Sequence, residues 1–476
     1  MLAKGWCRPG EKARNASRAF AAIGRRPQHV AEKRLMGGTD CRIRFFNHAC
    51  YSVSNTRRTL ISDPYLFGTA FNEGWDLIWR DVAYEGLDQV THIWYSHEHP
   101  DHFSPRFLFS IPSEKRPGIT VLYQETRDKR IINFCKRIGF RTIELRHLTP
   151  YRIDEQFEIT CGQVPLYDSW SLIRVGNVRL LNLNDCNLDR KEKITGIAKL
   201  FPEPDVLLTQ FSYASWLGNP DESPVRRENA EHLLRRIVLQ CEIVRPRFVI
   251  PIASYVFFSH EENFYANDCI NTPWSVAELI EKDCHAAPIV MVPNEIWDCR
   301  TPHRNGNALS SWRKAYGDAL TKPIHVGKLV SEEELTKECD RFLRRMFQRN
   351  SHTIIRLLTS FGILPPIAFY VWDLRKGFYF SWNHGLTADS WMIEANADIS
   401  LGSESLHFLF SHDFGADTLN VNARFRATDA AKKKLNRVFA VPSLNNTGRF
   451  LDFSVARLLA ERKFLERGLQ TVGLWR

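Results

Sequence analysis

The segment 97–102, which reads HEHPDH, holds three histidines and two acidic residues on a tight, proline-containing turn. Imidazole nitrogens and carboxylate oxygens are ligands for zinc, iron and manganese, and a packing role would not use so many of them together. We predict that His97, His99, Asp101 and His102 hold one or two divalent ions. A solvated, metal-free loop is the alternative, but the H-x-H-x-D-H spacing directly after a strand favours the metal site.

The segment 90–95, VTHIWY, precedes this motif and is rich in β-branched and aromatic residues. It predicts a buried strand, which Ser96 ends. Open α/β sheets place their binding crevices at the carboxyl ends of strands, and the motif falls at such an end. The strand would therefore hold the ligands at the edge of a sheet.

The motif, its strand and the upstream aspartate of the segment 61–64 (ISDP) resemble the metallo-β-lactamase superfamily. Within it, the segments 47–50 (NHAC), 63–65 (DPY) and 68–75 (GTAFNEGW) are similar to the branch of lactonases and N-acyl-phosphatidylethanolamine phospholipase D. They are most similar to the non-Rieske part of the CMP-N-acetylneuraminate hydroxylase family. The resemblance covers about 41–299 and implies an αββα sandwich.

The resemblance also implies roles for residues far from the motif. Asp185 matches the aspartate that bridges two metals, and His260 is assigned as the last ligand histidine, although it follows its strand by a longer interval than elsewhere in the superfamily. Asp101 would be a ligand and would handle protons in catalysis. Asp63 would fix a ligand histidine through a hydrogen bond. His48 is either another such residue or a buried structural histidine.

One ligand of the superfamily pattern is missing. The segment 162–169, GQVPLYDS, stands where a third histidine of the first metal is expected, and it contains none. Either Asp168 substitutes as an oxygen ligand, which would favour iron or manganese over zinc, or the first site is incomplete. In the second case a single ion lies at Asp101, His102 and His260, and a two-metal hydrolytic mechanism is disfavoured.

Strand and helix patterns alternate through the region of resemblance, as expected for two packed sheets with helices outside. The predicted strands are 41–46, 59–62, 118–123, 141–145, 157–162, 206–209 and 248–252, with a hairpin over 171–184. The predicted helices are 125–139 and 224–244. The second helix carries four arginines that we interpret as a solvated face rather than a substrate clamp: Arg226, Arg227, Arg235 and Arg236.

Composition changes along the chain predict four regions. They are a basic, disordered tail over 1–38, a metal-binding domain over 39–300, a polar linker over 301–322 and a smaller α+β domain of unknown role over 323–476. Within the last region we predict strands over 391–399, 406–410 and 418–423 and helices over 332–348, 429–439 and 450–469. Its histidines are isolated, which is typical of structural residues.

The 476-residue chain has a net charge of +10 and an ordinary soluble composition, 44% hydrophobic and 25% charged. Its eleven cysteines form no C-x-x-C pair, which argues against a disulfide framework or thiolate zinc site and favours the cytoplasm. The apolar segment 354–372 is too interrupted to span a membrane, and a buried element is favoured over a peripheral membrane anchor. The charge suits an anionic small molecule, whereas no nucleic-acid-binding motif is present.

These observations favour a metal-dependent hydrolase acting on a phosphorylated or sugar- or lipid-type ester, phosphodiester or lactone. The first alternative is an iron-dependent oxygenase, as the resemblance implies. The sequence lacks the paired Cys-x-His and Cys-x-x-His sets of a Rieske cluster, so this activity would need a separate electron-transfer partner. The second alternative is a non-catalytic binding protein with a degenerate metal site.

Overall fold

The structure, a computed structural model, describes residues 40–164 and 168–452. The predicted basic tail lies outside the described residues, and so does all but the start of the predicted helix over 450–469. No described helix has the length and apolar character needed to cross a membrane.

The described strands, in chain order, are β1 Arg42–Asn47, β2 Cys50–Ser54, β3 Thr59–Ser62, β4 Trp75–Leu77, β5 His92–Tyr95, β6 Thr120–Gln124, β7 Arg141–Leu145, β8 Pro150–Asp154, β9 Phe157–Gln163, β10 Ser169–Val175, β11 Val178–Asn184, β12 Val206–Gln210, β13 Phe248–Ile252, β14 Val256–Phe258, β15 Ala287–Pro288, β16 Ile296–Asp298, β17 Ile367–Val371, β18 Lys376–Ser381, β19 Gly385–Asp389, β20 Ile399–Leu401 and β21 Phe425–Ala427.

The described α-helices are α1 Pro105–Ser110, α2 Arg130–Arg137, α3 Lys191–Leu200, α4 Ser223–Val244, α5 Pro273–Asp283, α6 Gly306–Ala319, α7 Glu332–Arg349, α8 His352–Ser360, α9 Ser403–Ser411, α10 Gly415–Asn422, α11 Asp429–Val438 and α12 Ala440–Asn446.

Two seven-stranded sheets form the αββα sandwich that the sequence predicts. The first has the strand order β16-β1-β2-β3-β5-β6-β7, and the second has the order β15-β13-β12-β11-β10-β9-β8. In each sheet antiparallel hairpins give way to parallel strands, at β3–β5–β6–β7 in the first and β11–β12–β13–β15 in the second. The carboxyl ends of the parallel strands form the edge at which binding crevices are expected.

Buried apolar strands explain this arrangement. All four residues of β5 and all five of β12 are buried, as expected for parallel strands covered on both faces. Ile93 and Tyr95 of β5 pack with Val121 and Tyr123 of β6 in one hydrophobic core beneath α1 and α2. These strands are therefore a rigid support for the loops that follow them.

Helix α4 shows that the prediction of a solvated face with four arginines is wrong in part. Arg227 and Arg235 are exposed, as expected for a solvated face, but Arg226 and Arg236 are buried at 1% and 6% exposure. Arg226 donates to Asp268 from Nε and Nη2, at 2.8 Å each. The four arginines therefore do not form one surface.

The predicted linker over 301–322 is also wrong, because it contains helix α6. Its buried residues Ala308, Trp312, Tyr316 and Ala319 recur at helical spacing. The Trp312 ring stacks on Tyr255 with centroids 4.3 Å apart. The polar residues that suggested a linker are those of the exposed helix face.

The C-terminal region contains a five-stranded sheet of order β19-β18-β17-β20-β21, with helices beside it. Helices α7 and α11 match the predicted helices. The strands predicted over 406–410 and 418–423 are wrong, because these segments lie in α9 and α10. In α9 the buried residues include Ser405, Leu406, Leu409 and Phe410, a helical spacing that the short apolar run concealed.

Candidate metal centre

The loop after β5 gathers the histidines of the motif. His97 and His102 are fully buried and Asp101 is 2% exposed, whereas His99 is half-buried. His97 Nε2 lies 2.9 Å from His99 Nδ1. His102 Nε2 lies 3.5 Å from Asp101 Oδ2. The predicted ligands on this loop therefore face one another within the protein.

Strand β11 of the second sheet delivers Asp185 to this loop. Asp185 Oδ2 lies 3.2 Å from His102 Nε2. His97, His102 and Asp185 each offer a ligand atom, and these atoms all lie within 4.8 Å of one another. The structure thus brings together the motif and the distant aspartate that the sequence predicts beside it.

The turn between β1 and β2 delivers His48 more deeply than expected. Its Nε2 lies 3.2 Å from Asp101 Oδ2, and His48, Asp101 and His102 form a second group of atoms within 4.8 Å of one another. The His48 carbonyl accepts a hydrogen bond from Ala253 N at 3.0 Å, which places this turn at the end of β13. His48 is therefore close enough to Asp101 and His102 to be a candidate ligand with them.

Four residues at strand ends around the centre have left-handed backbone conformations: His48 (φ 46°), Asp63 (φ 43°), Asn184 (φ 46°) and Ala253 (φ 56°). Asn, Asp and His tolerate this region better than other side chains do, whereas alanine has no polar group to compensate. Such conformations redirect the chain abruptly where each strand ends. Their concentration at one edge is typical of a functional site.

The distances between donor atoms test whether an ion fits. Two ligand atoms bound at about 2.1 Å stand roughly 3.0 Å apart at a right angle and roughly 3.4 Å apart at the tetrahedral angle. Separations of 3.2 Å from His48 to Asp101, 3.2 Å from His102 to Asp185 and 3.5 Å from His102 to Asp101 match this range. Asp101 Oδ1 and Asp185 Oδ1 are also buried without a hydrogen-bond partner. The donor set therefore fits a divalent cation.

Asp63, the predicted supporting carboxylate, contacts His102. Asp63 Oδ2 lies 3.3 Å from His102 Nδ1, which leaves Nε2 to face Asp101 and Asp185. Asp63 Oδ1 accepts from Ser96 N at 2.8 Å, and Oδ2 accepts from Asn184 Nδ2 at 2.6 Å. A carboxylate fixed in this way selects the imidazole tautomer that can bind a metal.

Ser96 links the same network to His97. Its Oγ lies 2.8 Å from His97 Nδ1 and accepts from Asn184 Nδ2 at 2.7 Å. Its carbonyl accepts from Ser169 Oγ at 2.6 Å and from Gln124 Nε2 at 3.1 Å. Both sheets thus hold the ring of His97 in place.

Burial and charge set the protonation of the cluster. Burial lowers the pKa of His97 and of His99 to about 4, so both rings have free nitrogen lone pairs near neutral pH. Burial acts to raise the pKa of Asp101, but His102 and His48 outweigh it and hold that pKa below its usual value. Burial acts to lower the pKa of His102, and Asp101, Asp185 and Asp63 raise it well above the ordinary value. A cation would take the place of that proton.

Asp168 is an electrostatic neighbour of His99. Burial raises its pKa, and His99 is the largest influence that lowers it. Its carboxylate is not part of the two donor groups found around His102 among the described residues. The substitution of Asp168 for the missing histidine stays a prediction, and so does the alternative of an incomplete first site.

The structure does not bring His260 to the cluster. His260 is buried, its Nδ1 accepts from Glu262 N at 3.2 Å, and burial, Arg424 and His325 lower its pKa to about 3. The reason is β14, which pairs with β4 and carries the chain away from the end of β13 before residue 260 is reached. His48 stands at the strand end instead.

Glu98, one of the two acidic residues of the motif, faces the C-terminal region. Its carboxylate accepts from Arg130 Nη2 at 2.9 and 3.1 Å, and Arg130 also donates to the side chain and carbonyl of Asn446. Burial raises the pKa of Glu98 to about 7, against the influence of Arg130. Glu98 therefore connects the ligand loop to α12.

Sequence reasoning missed the depth of His48 and the network through Asn184. A signal for each was present. His48 follows Asn47 at a hairpin turn, and Asn184 immediately precedes the predicted ligand Asp185. Neither signal indicates that the two sheets meet at His48 and Asn184.

The two sheets with helices outside, and a histidine–carboxylate cluster at their carboxyl edge, define a metallo-β-lactamase-type fold with a candidate metal centre. No protein-family model matches the chain. Its sequence is similar to cytidine monophosphate-N-acetylneuraminic acid hydroxylase of Danio rerio, with 22% identity over 316 residues, 60% of this chain and 50% of the relative. The Mus musculus protein is 24% identical over 282 residues, 54% of this chain and 47% of the relative. The chain thus spans about half the length of the curated relatives it matches.

Two solved structures illustrate the range of similar proteins. One is CmlA, a diiron β-hydroxylase from Streptomyces venezuelae, with 16% identity, a TM-score of 0.39 and 55% of each chain covered. The other is a metallo hydrolase from Ignicoccus hospitalis, with 14% identity and a TM-score of 0.37, covering 54% of this chain and 98% of that one. At these scores neither similarity indicates the reaction.

Proposed function

We propose that this protein is a metal-dependent hydrolase of a small anionic ester, phosphodiester or lactone. The observation that carries this proposal is the convergence of two overlapping donor groups at one sheet edge, His48, Asp101 and His102 and then His97, His102 and Asp185. Within each group the ligand atoms lie within 4.8 Å of one another. Nitrogen and carboxylate donors without thiolate suit zinc, iron or manganese.

The roles of the residues follow from their contacts. His48, Asp101 and His102 would hold one ion, and His97, His102 and Asp185 form the second donor group. His102 is common to both groups, and His99 lies beside His97. A bound divalent ion lowers the pKa of water from about 15.7 toward about 7, which makes a nucleophile available at neutral pH. Asp101 Oδ1 has no hydrogen-bond partner, whereas Oδ2 faces His48 and His102. Asp101 would take a proton at Oδ1 and deliver it to the leaving group.

Oxygen-dependent hydroxylation is the second candidate. It is favoured by the names of the sequence relatives and by the His48, Asp101 and His102 group, since two histidines and one carboxylate are the ligand set of many non-haem iron oxygenases. Hydroxylation also needs a source of electrons, and no electron-carrying group is evident among the described residues. Hydrolysis needs no such source, and it is therefore the first proposal.

Elemental analysis of the purified full-length protein tests the proposal. We expect about one or two equivalents of zinc, iron or manganese per chain, and a marked loss in His99→Ala and in Asp101→Asn. The exposed histidine variant His384→Ala is the control and should keep its metal. A native protein without transition metal would refute both candidate activities.

A substrate panel then separates the two reactions. Phosphodiesters, lactones and sugar nucleotides are incubated with the metal-loaded protein with and without dioxygen. Hydrolysis predicts cleavage in both conditions and its loss in Asp101→Asn by several orders of magnitude. A product that forms only with dioxygen and an added reductant would instead establish the hydroxylase.

A further inference from the structure

Three arginines are buried in the described part of the chain: Arg226, Arg236 and Arg424. Arg226 is paired with Asp268, and Arg424 is paired with Glu262 and Glu404. Arg236 differs, because no described carboxylate lies within ion-pair distance of its guanidinium.

The contacts of Arg236 are with a neutral side chain. Arg236 Nη2 donates to Gln210 Oε1 at 3.0 Å and to the Gln210 carbonyl at 3.4 Å. Arg236 Nε is buried and has no hydrogen-bond partner. A buried cation with no carboxylate within ion-pair distance and with an unpaired donor is costly. Such a group calls for a functional explanation.

A second unpaired donor lies one turn further along the same face of α4. Gln240 is fully buried, its Oε1 accepts from Thr209 Oγ1 at 2.8 Å, and its Nε2 has no partner. Residues at i and i+4 of a helix are neighbours, so Arg236 and Gln240 are close to the same part of β12. Two buried donor atoms, Arg236 Nε and Gln240 Nε2, thus lie near the end of β12 without hydrogen-bond partners.

That strand end belongs to the edge that carries the metal centre. Gln210 is the last residue of β12, and β12 pairs in parallel with β11, whose end leads directly to Asp185. Burial lowers the pKa of Arg236, and Asp185 is the largest influence that raises it. The guanidinium is therefore an electrostatic neighbour of a candidate metal ligand.

We infer that Arg236, held by Gln210 and assisted by Gln240, binds the anionic group, a carboxylate or a phosphate, of the molecule that is processed at the metal centre. The guanidinium is planar and can donate two parallel hydrogen bonds to either group, which makes arginine suited to this recognition. The bound anion would supply the missing counterion and the missing acceptor together. This inference rests on the proposed function, because it names the substrate class of the same site.

Calorimetric titration of metal-loaded, full-length protein tests the inference, with inorganic phosphate and acetate as separate probes. We expect the wild type to bind one of them, and the preferred probe identifies phosphate or carboxylate as the recognised group. Arg236→Gln should weaken that binding roughly 10- to 100-fold, the effect of losing a charged hydrogen-bond partner. Arg235→Gln is the matched control on the same helix, since the Arg235 side chain is 62% exposed, and it should bind like the wild type.

Binding of neither probe by metal-loaded wild type, or equal binding by Arg236→Gln, would overturn the inference. If Arg236→Gln does not fold, Arg236→Lys keeps the positive charge but not the planar pair of donors, and unchanged binding by it is equally contrary. Metal content is measured on the same samples. Metal-free wild type refutes the proposed function, whereas loaded protein with Arg236-independent binding refutes this inference alone.

Discussion

At the scale of single residues, one candidate nitrogen donor of the metal centre, His48, comes from a part of the chain that the sequence did not predict. His48 lies on the turn between β1 and β2, and its carbonyl is tied to Ala253 at the end of β13. The sequence resemblance assigns the last histidine to His260, which the chain carries elsewhere with β14. A candidate ligand from the first sheet thus lies beside the end of β13, where the second sheet itself offers Ala253 and Ser254.

Paired substitutions distinguish the two histidines. His48→Ala should lower metal affinity by about 10-fold or more, because one donor of the His48, Asp101 and His102 group is lost. His260→Ala should leave affinity unchanged within about two-fold. Competition with a chromophoric chelator measures both. The reverse result, with His260→Ala losing metal and His48→Ala retaining it, would restore the sequence-based assignment.

Asp63 gives a prediction of a different kind, because it contacts ligands without being one. Asp63→Asn keeps the size of the side chain but weakens its support of His102 Nδ1, and we expect metal affinity to fall about 10- to 100-fold. Asp88→Asn, at an exposed position, is the control. Unaltered affinity in Asp63→Asn would show that His102 is oriented by the remaining contacts.

The residues that sequence alone could identify are those whose spacing carries information. The HEHPDH motif follows one buried strand, which identifies it as a candidate metal site. The proximity of Asp185 to the motif was implied by the family resemblance and not by the hairpin that Asp185 follows. The roles of His48 and Arg236 could not, because they depend on how two sheets meet and on which face of a helix is buried. Periodicity placed Arg236 on a helix but did not show its missing counterion.

At the scale of elements, the strands of the sandwich were predictable because each is a short apolar run bounded by turn residues. The C-terminal helices α9 and α10 were not, since short apolar runs are ambiguous between strand and helix until their packing partners are known. Close packing between β9 and β10 beside the site shows what sequence alone leaves out. A Cβ at Gly162 would overlap the ring of Trp170, its cross-strand partner.

Two glycine substitutions should therefore act in opposite directions. Gly162→Ala should lower the free energy of unfolding by about 1–3 kcal/mol, because the Trp170 ring must move. Gly196→Ala, within helix α3 and with no neighbour within 4 Å of the added Cβ, should raise it by about 0.5–1 kcal/mol. Thermal unfolding of the two variants measures the difference. A Gly162→Ala protein as stable as the wild type would contradict the packing described for this strand pair.

At the scale of the whole molecule, the C-terminal sheet is not separate from the region that carries the metal centre. Phe71 and Trp75 belong to the same hydrophobic core as Phe378 and Phe380 of β18. Phe71 also packs edge-on to His99, with ring centroids 5.9 Å apart, and its carbonyl accepts from Asn422 of α10 at 3.1 Å. The C-terminal region therefore stabilises the surroundings of the ligands directly.

The pH dependence of stability offers a test in this region. Burial raises the pKa of Asp417 to about 6, so the folded state binds more protons than the unfolded state from about pH 4 to 6. The contribution of this group to stability is therefore present at the acidic end and is lost as the pH rises through that range. Asp417→Asn removes the ionisation, and its melting temperature relative to wild type should increase from pH 4.5 to pH 7.5. The exposed Asp340→Asn should show no such trend, and a flat difference for Asp417→Asn would contradict the prediction.

The glutamate inside the ligand motif has a consequence for chimaeric proteins. Because Glu98 is joined through Arg130 to Asn446, the loop that carries the ligands and the last described helix form matching halves of one interface. Exchanging the C-terminal region with that of a distant homologue would remove the contact between Arg130 and Asn446, even if each region still folded correctly. Such hybrid proteins would then need compensating substitutions at Arg130 to keep the loop over 97–102 in its position.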